Sequence, residues 1–274
     1  MGYWVGVSKR PSRSAIVTGG GSGIGLAVAR RLAANGHGVV VTGRRSEACD
    51  AAAGELGAAG HAALAGAADV GDPDDAERVV AAALERFGGI DVLVNNAGIG
   101  DAAPVLEETP EGWERVMRTN LTGAFLMARA ALPALIERSG CVVNVSSVSG
   151  NLAGPGWAAY CTSKAGLIML TRSLANDYGP RGVRANCVCP GWVRTPMGDS
   201  DMDEVARARG VDREGAYRLT HADNPLRRPA EPEEVASVVS FLAGPDAAYV
   251  NGVALPVDGG TSIVDPTAAG QFSP

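Results

Sequence analysis

The chain has 274 residues, 46% hydrophobic and 20% charged, which suits one or two globular domains able to bury a core without metals or disulfides. A net charge of −6 argues against a nucleic-acid binder with a basic face and against a polybasic membrane attachment. Aromatic residues make up only 5%, so the core must be aliphatic.

Met1–Arg13 lacks an apolar stretch followed by a small-residue cleavage site, so residues 1–13 are expected to form an arm and not a secretory signal. From Ser14 to Gly260, strand and helix patterns alternate. Ala15–Thr18 is a β-branched run that stops at glycines. Ile24, Val28 and Leu32 mark one face of a helix that continues to Ala34. Val39–Thr42 reads as a second strand, 47–56 as a helix and Ala62–Ala67 as a weak strand ending at Asp69. Asp74 to Phe87 is amphipathic, with acidic residues in its first turn, where the helix dipole favours them. Ile90–Val94 is a strand, 110–137 carries long helical periodicity, Cys141–Val145 is a strand and 158–178 a helix. Val183–Cys189 reads as a strand with Cys187 and Cys189 on one face, 231–242 as a helix and Val253–Val257 as a last strand.

Strands that are apolar without alternation are buried on both faces, which means a parallel sheet between helices. Repeated βα units with short loops predict a Rossmann-type, doubly wound α/β domain of about seven parallel strands over 14–262, followed by a tail over 263–274. Residues 195–227 lack strand character and read as an irregular lid or binding loop, offering Met197, Met202, Tyr217 and His221 to a substrate. The uncharged stretch Leu56–Ala68 is short and rich in Ala and Gly, and no transmembrane helix is expected. The five cysteines (Cys49, Cys141, Cys161, Cys187, Cys189) are odd in number, with no CxxC pair and no neighbouring His. They predict neither a disulfide framework nor a metal site, and suit reduced thiols in the cytoplasm.

The turn Thr18-Gly19-Gly20-Gly21-Ser22-Gly23-Ile24-Gly25 leaves a strand and opens a helix. A helix N-terminus offers unsatisfied N–H groups and a partial positive charge, and glycine lets a diphosphate come close. No Lys-Ser/Thr follows, which excludes a P-loop. After the second strand comes Thr42-Gly43-Arg44-Arg45. An acid at position 43 would suit the 2′-hydroxyl of NAD, whereas the guanidinium groups of Arg44 and Arg45 suit a 2′-phosphate. NADP(H) is therefore expected over NAD(H).

Tyr160 and Lys164 stand four apart on a helix and so share a face. A phenol titrates near 10 and is a poor acid at neutral pH unless a nearby ammonium lowers its pKa. Such a pair could then pass a proton to or from a carbonyl oxygen. Ser146-Ser147 and Asn95-Asn96-Ala97-Gly98 each follow a strand, at the sheet edge where open α/β folds bind ligands.

Taken together, the TGxxxGxG turn, Asp69, the NNAG segment at 95–98, Asn120, Ser147, the YxxxK pair, Pro190-Gly191 and Val257-Asp258-Gly259-Gly260 resemble the short-chain dehydrogenase/reductase family, 3-oxoacyl reductases among them. The resemblance covers 14–262. It implies a hydride-transferring enzyme that interconverts a ketone and a secondary alcohol. Tyr160 would be its general acid/base, Lys164 would tune Tyr160 and hold the nicotinamide ribose, Ser147 would polarise the substrate carbonyl, and Asn120 would disturb its helix and hold a water. Gly19, Gly21, Ser22, Gly23, Ile24 and Gly25 would surround the diphosphate. Asp69 and Val70 would meet the adenine, and Asn96, Ala97 and Gly98 the adenosine ribose. Pro190, Gly191, Val193 and Thr195 would approach the carboxamide. Trp157 and Met197 would join Ser147 at the substrate.

The resemblance also implies a dimer or tetramer, in keeping with two helices (121–136 and 167–174) that are apolar all round. The expected partner is a small ketone or alcohol. NADPH-dependent carbonyl or 3-oxoacyl reduction is the leading reading, with NAD-dependent oxidation of a sugar, steroid or cyclic alcohol as the alternative. A dinucleotide-binding regulator without turnover would have no need of Asn120, Ser147, Tyr160 and Lys164 together.

Overall fold

The structure is a computed structural model and describes residues 11–264. Most of the arm expected over 1–13 and of the tail over 263–274 lies outside the described residues. Seven strands form one sheet: β1 (Arg13–Thr18), β2 (His37–Gly43), β3 (Ala63–Ala67), β4 (Val92–Asn95), β5 (Cys141–Val145), β6 (Arg184–Pro190) and β7 (Ala254–Val257). Every pairing is parallel and the order is β3-β2-β1-β4-β5-β6-β7. The doubly wound architecture read from the sequence is the architecture found.

Side chains of β1 show why the strands are uniformly apolar. Ala15 and Val17 enter the core on one face of the sheet and Ile16 the core on the other, all three fully buried. The first core is closed by α1 (Gly23–Ala34), α2 (Ser46–Ala58) and α9 (Pro232–Ala243). The second is closed by α3 (Pro73–Phe87), α5 (Gly123–Arg138) and the end of α6 (Ala158–Tyr178). Because strand order reverses between β1 and β4, the loops after these two strands diverge and open a crevice at their carboxyl ends.

Local signals set the helix ends. The Asp72 carboxylate accepts from the N–H groups of Asp74 and Asp75, Pro73 occupies the first turn, and Gly88 closes α3 in the left-handed conformation. Observed boundaries differ from the sequence reading by one to two residues at most elements, as terminal turns fray or tighten.

Two findings refine that reading. Residues 110–137 are not one uniform helix: α4 (Pro110–Met117) passes into α5 through a widened π turn over Arg118–Thr122, with buried Asn120 at its centre. Residues 195–227 are not irregular either. They hold α7 (Pro196–Arg209) and α8 (Arg213–Thr220). Thr195 and Asp212 cap these helices by accepting from the N–H groups of Gly198 and Gly215, and Gly210 ends α7 at φ +66°. Polar composition masked the helices, because their small apolar stripe packs helix on helix and not on the sheet.

Residues 110–138 are long and apolar enough by composition to cross a membrane, yet half of the apolar window is buried inside the domain, where Met127, Ala131 and Leu135 are fully enclosed.

Candidate active site

The glycine turn is built against the loop after β4. Gly19 and Gly23 have φ of +63° and +53°. A Cβ on Gly19 would lie 2.9 Å from Asn96 Nδ2, and one on Gly25 would overlap the Gly19 carbonyl oxygen. Asn96 holds the turn by donating from Nδ2 to the Thr18 and Gly19 carbonyls at 2.9 and 3.3 Å. The turn therefore tolerates only glycine at these points, and it leaves the first N–H groups of α1 without a side-chain cap from Ser22. An anionic diphosphate fits that cradle.

A cleft of about 570 Å³ runs from this turn to α6. Gly19, Gly21, Ser22, Gly23, Ile24, Arg44, Arg45, Asp69, Val70, Asn96, Ala97, Gly98, Tyr160, Lys164, Thr195 and Met197 all line it. Arg45 Nη2 donates to the Ser22 hydroxyl at 3.0 Å, which ties the residue after β2 to the glycine turn. Asp69 is braced by Arg118, 3.2 Å away, and accepts from the Gly71 N–H.

At the other end of the cleft Lys164 is buried and donates from Nζ to the Val145 carbonyl at 3.0 Å. Its Nζ lies 5.6 Å from the centroid of the Tyr160 ring. Burial lowers the Lys164 ammonium to about 8, against weak support from the neighbouring Cys187 and Cys189 thiols. Burial likewise pushes the Tyr160 phenol up to about 12, opposed by hydrogen bonding with the Ser147 hydroxyl. The ammonium lies beside the ring and gives one of its hydrogen bonds to Val145, and burial is the largest influence on the phenol.

Asn120 sits on the π turn and its side chain is fully engaged. Nδ2 donates to the Ile99 carbonyl at 2.8 Å and to the Ser163 hydroxyl at 3.0 Å, while Oδ1 accepts from the Ile99 N–H at 2.8 Å. It clamps the loop after β4 to α6, one residue from Lys164. Trp157 meets the Tyr160 ring edge-on, with centroids 5.6 Å apart.

Some expected residues stand back from the cleft walls. Gly25 packs behind the glycine turn and Asn120 sits beside Lys164, while the Ser147 hydroxyl hydrogen-bonds the Tyr160 phenol. Gly191 donates its N–H to the Val257 carbonyl at the end of β6, next to Pro190, and Val193 is buried against Ala230. Ser146, not Ser147, lines the cleft, and its hydroxyl donates to the Lys164 carbonyl at 2.8 Å. Met202, Tyr217 and His221 are corrected as substrate contacts. All three are buried within the α7–α8 pair, where the Tyr217 hydroxyl donates to Asp199 at 2.9 Å and the His221 ring bonds the Tyr217 carbonyl. Sequence reasoning missed Ile99, Thr119 and Pro196 on the cleft wall. The Thr195-Pro196 pair, a helix-start signal, could have revealed the last.

A family model described as Enoyl-(Acyl carrier protein) reductase matches residues 19–262. The chain belongs to the short-chain dehydrogenase/reductase family. It is 44% identical over 259 residues to Protein MoaE of Klebsiella aerogenes, across 94% of this chain and 99% of that one. It is 40% identical to the meso-2,3-butanediol dehydrogenase of Serratia marcescens, across 91% and 94% of the two chains. Among solved structures, a single-substitution variant of actinorhodin polyketide ketoreductase with NADPH superposes with a TM-score of 0.88 at 39% identity, over 93% of this chain and 98% of that one. Like other short-chain dehydrogenases/reductases, the chain is an oxidoreductase that interconverts ketones and secondary alcohols, and its cleft is one for a nicotinamide dinucleotide.

Proposed function

We propose that the chain reduces a ketone, of the 3-oxoacyl or related carbonyl type, with NADPH. The observation that carries the reading is the convergence of Tyr160, Lys164 and the glycine turn on one cleft whose adenosine end is walled by Arg44 and Arg45, with Gly43 where a carboxylate would select NAD. The ketoreductase relative solved with NADPH and the 3-oxoacyl-[acyl-carrier-protein] reductases that are about 40% identical support it. The bound nicotinamide would supply the hydride.

The chain's own residues do the rest. Gly19, Gly21, Ser22, Gly23 and Ile24 hold the diphosphate by their N–H groups, with Gly25 giving α1 room to pack. Asp69 and Val70 border the adenine, and Asn96, Ala97 and Gly98 the adenosine ribose. Lys164 holds the nicotinamide ribose, and Pro190, Gly191, Val193 and Thr195 shape the carboxamide end. Ser147 orients the substrate carbonyl, and Tyr160 delivers a proton to its oxygen as the carbon is reduced. Asn120 positions the loop around Lys164, with the proton returned past Lys164 from solvent. Trp157 and Met197 border the substrate. Five free cysteines, four of them buried, suit a reducing cytoplasm. Phe125 on α5 and Met169 on α6 are about half exposed, as a dimer or tetramer formed through these helices requires.

A panel of ketones and secondary alcohols, followed at the nicotinamide absorbance with NADPH and NADH, tests the reading. Ketone reduction with NADPH favoured is expected. Alcohol oxidation confined to NAD would replace it with the dehydrogenase alternative.

A further inference from the structure

The segment that follows β6 is stitched to the start of α9 by its backbone. Ala230 donates its N–H to the Trp192 carbonyl and accepts from the Arg194 N–H, both at 2.9 Å, with Val193 buried between them. Thr195 comes next, on the cleft wall, and its hydroxyl caps α7. The Arg194 side chain is not needed for any of these contacts. It reaches α8 instead. Nη1 and Nη2 donate to the two carboxylate oxygens of Glu214 at 2.7 and 2.8 Å, and the guanidinium lies 4.5 Å from the centroid of the buried Tyr217 ring. A third contact is weaker: Nε is 3.5 Å from Glu231, just before α9.

We propose that Arg194 is a positioning residue of the ketone reduction. It fixes the angle of the α7–α8 pair relative to the end of β6, and so shapes the substrate end of the cleft at Met197. The proposal deepens the function assigned above and rests on it.

Packing alone leaves that angle loose. The core of Met202, Ala206, Ala216 and Tyr217 is small, and Trp192 packs against it from the segment after β6. Apolar contact is non-directional, so it keeps the pair close without setting its orientation. An arginine–carboxylate fork is directional, because its two parallel N–H···O bonds hold only when both planes align. Exposed single ion pairs contribute little. Here the Arg194 side chain is 32% exposed, bidentate, and stacked on a buried ring, which raises the strength of the tie. The contact also leads towards the substrate. Tyr217 donates its hydroxyl to Asp199 at 2.9 Å, and Asp199 stands in the first turn of α7, two residues from Met197 on the cleft wall. Every step from the strand end to that turn is a direct side-chain contact.

The test compares Arg194→Gln, Arg194→Lys and Glu214→Gln with the wild type in kcat, KM for a ketone and dissociation constant for NADPH. Tyr160, Lys164 and the glycine turn are untouched, so kcat and NADPH affinity should change less than about threefold while KM for the ketone rises about tenfold. Lysine keeps the charge without the fork, so Arg194→Lys should recover only part of the loss. The Arg194→Gln/Glu214→Gln double variant should lose no more than either single one, because both remove the same contact. Glu231→Gln should leave KM within about twofold, as its contact is single and longer. A KM that Arg194→Gln does not move, equal losses in NADPH and ketone binding, additive single effects, or a full loss in Glu231→Gln overturns the proposal. Should Arg194→Gln fail to fold, Glu214→Gln on the exposed side of α8 carries the comparison. A second measurement needs no turnover. Trypsin cleavage after Arg207, Arg209 and Arg218 should quicken by about tenfold in Arg194→Gln and Glu214→Gln with little change in Tm, since it reads opening of α7 and α8 alone. Unchanged cleavage rates overturn the proposal, whereas quickened cleavage in a chain that reduces no ketone would reject the assigned reduction and leave the tie in place.

Discussion

The ammonium of Lys164 faces the Tyr160 ring at 5.6 Å but hydrogen-bonds the end of β5, at the Val145 carbonyl. The lysine is therefore anchored to the sheet, and its charge state is set by burial. Held near 8, against an ordinary value of 10.5, the ammonium loses its proton as pH rises through about 8. In the proposed reduction that charge serves Tyr160 and the ribose, so kcat/KM for a neutral ketone should fall on the alkaline side of about 8. A pH–rate profile from 6 to 10 checks this, and a flat profile to pH 10 counts against it.

Tyr160→Phe removes the phenolic proton between Lys164 and Trp157 while keeping the ring's packing. Turnover is expected to fall by about 10²–10⁴-fold, in the range for loss of a positioned acid, with NADPH affinity changed little. Steady-state kinetics paired with a fluorescence titration of the dinucleotide separates the two. Matching losses of binding and rate would mean that the phenol serves the cofactor more than the proton.

Arg44→Ala should raise the KM for NADPH by about tenfold or more and leave that for NADH nearly as it was, since only the former carries the 2′-phosphate. Arg45 reaches the Ser22 hydroxyl, so Arg45→Ala should weaken both cofactors by loosening the turn. Parallel titrations with the two dinucleotides read the difference.

His37 opens β2 almost fully buried, with Nδ1 on the Leu32 carbonyl at 3.1 Å and no partner for Nε2 among the described residues. Burial holds its pKa below the ordinary 6.5, and Arg13 adds to this. Below pH 6.5 the unfolded chain takes up a proton that the folded chain resists, so folding stability is complete above 6.5 and declines as pH falls below it. His37→Asn, which can keep a donor near Leu32 and does not titrate, should flatten the fall in Tm between about pH 7 and 5. An unchanged slope would place the acid sensitivity elsewhere.

Much of the domain could be read before any coordinates, and for one reason. A parallel sheet buried on both faces forces uniformly apolar strands, such as Val39–Val41 and Val142–Val143, separated by amphipathic or apolar helices. The cleft was legible where chemistry restricts residue type: glycine at 19 and 25 for want of room, Tyr160 and Lys164 by their spacing. It was not legible where a helix packs on another helix. Met202 and Tyr217 look like substrate contacts in a polar stretch, yet they close a small core of their own. Nor could spacing tell how far Tyr160 is drawn out of water, because that depends on tertiary packing such as Trp157 set edge-on against its ring.

That small core of Met202, Ala206, Ala216 and Tyr217 is separate from the two cores that grip the sheet. Its span begins at Thr195, against Gly23, and ends at Asn224, whose amide donates to the Asp258 carbonyl and the Thr261 hydroxyl. Residues 195–224 therefore fold around an apolar centre of their own and are held at both ends, so a substitution that loosens Met202 or Tyr217 should slacken this flap before it disturbs the sheet.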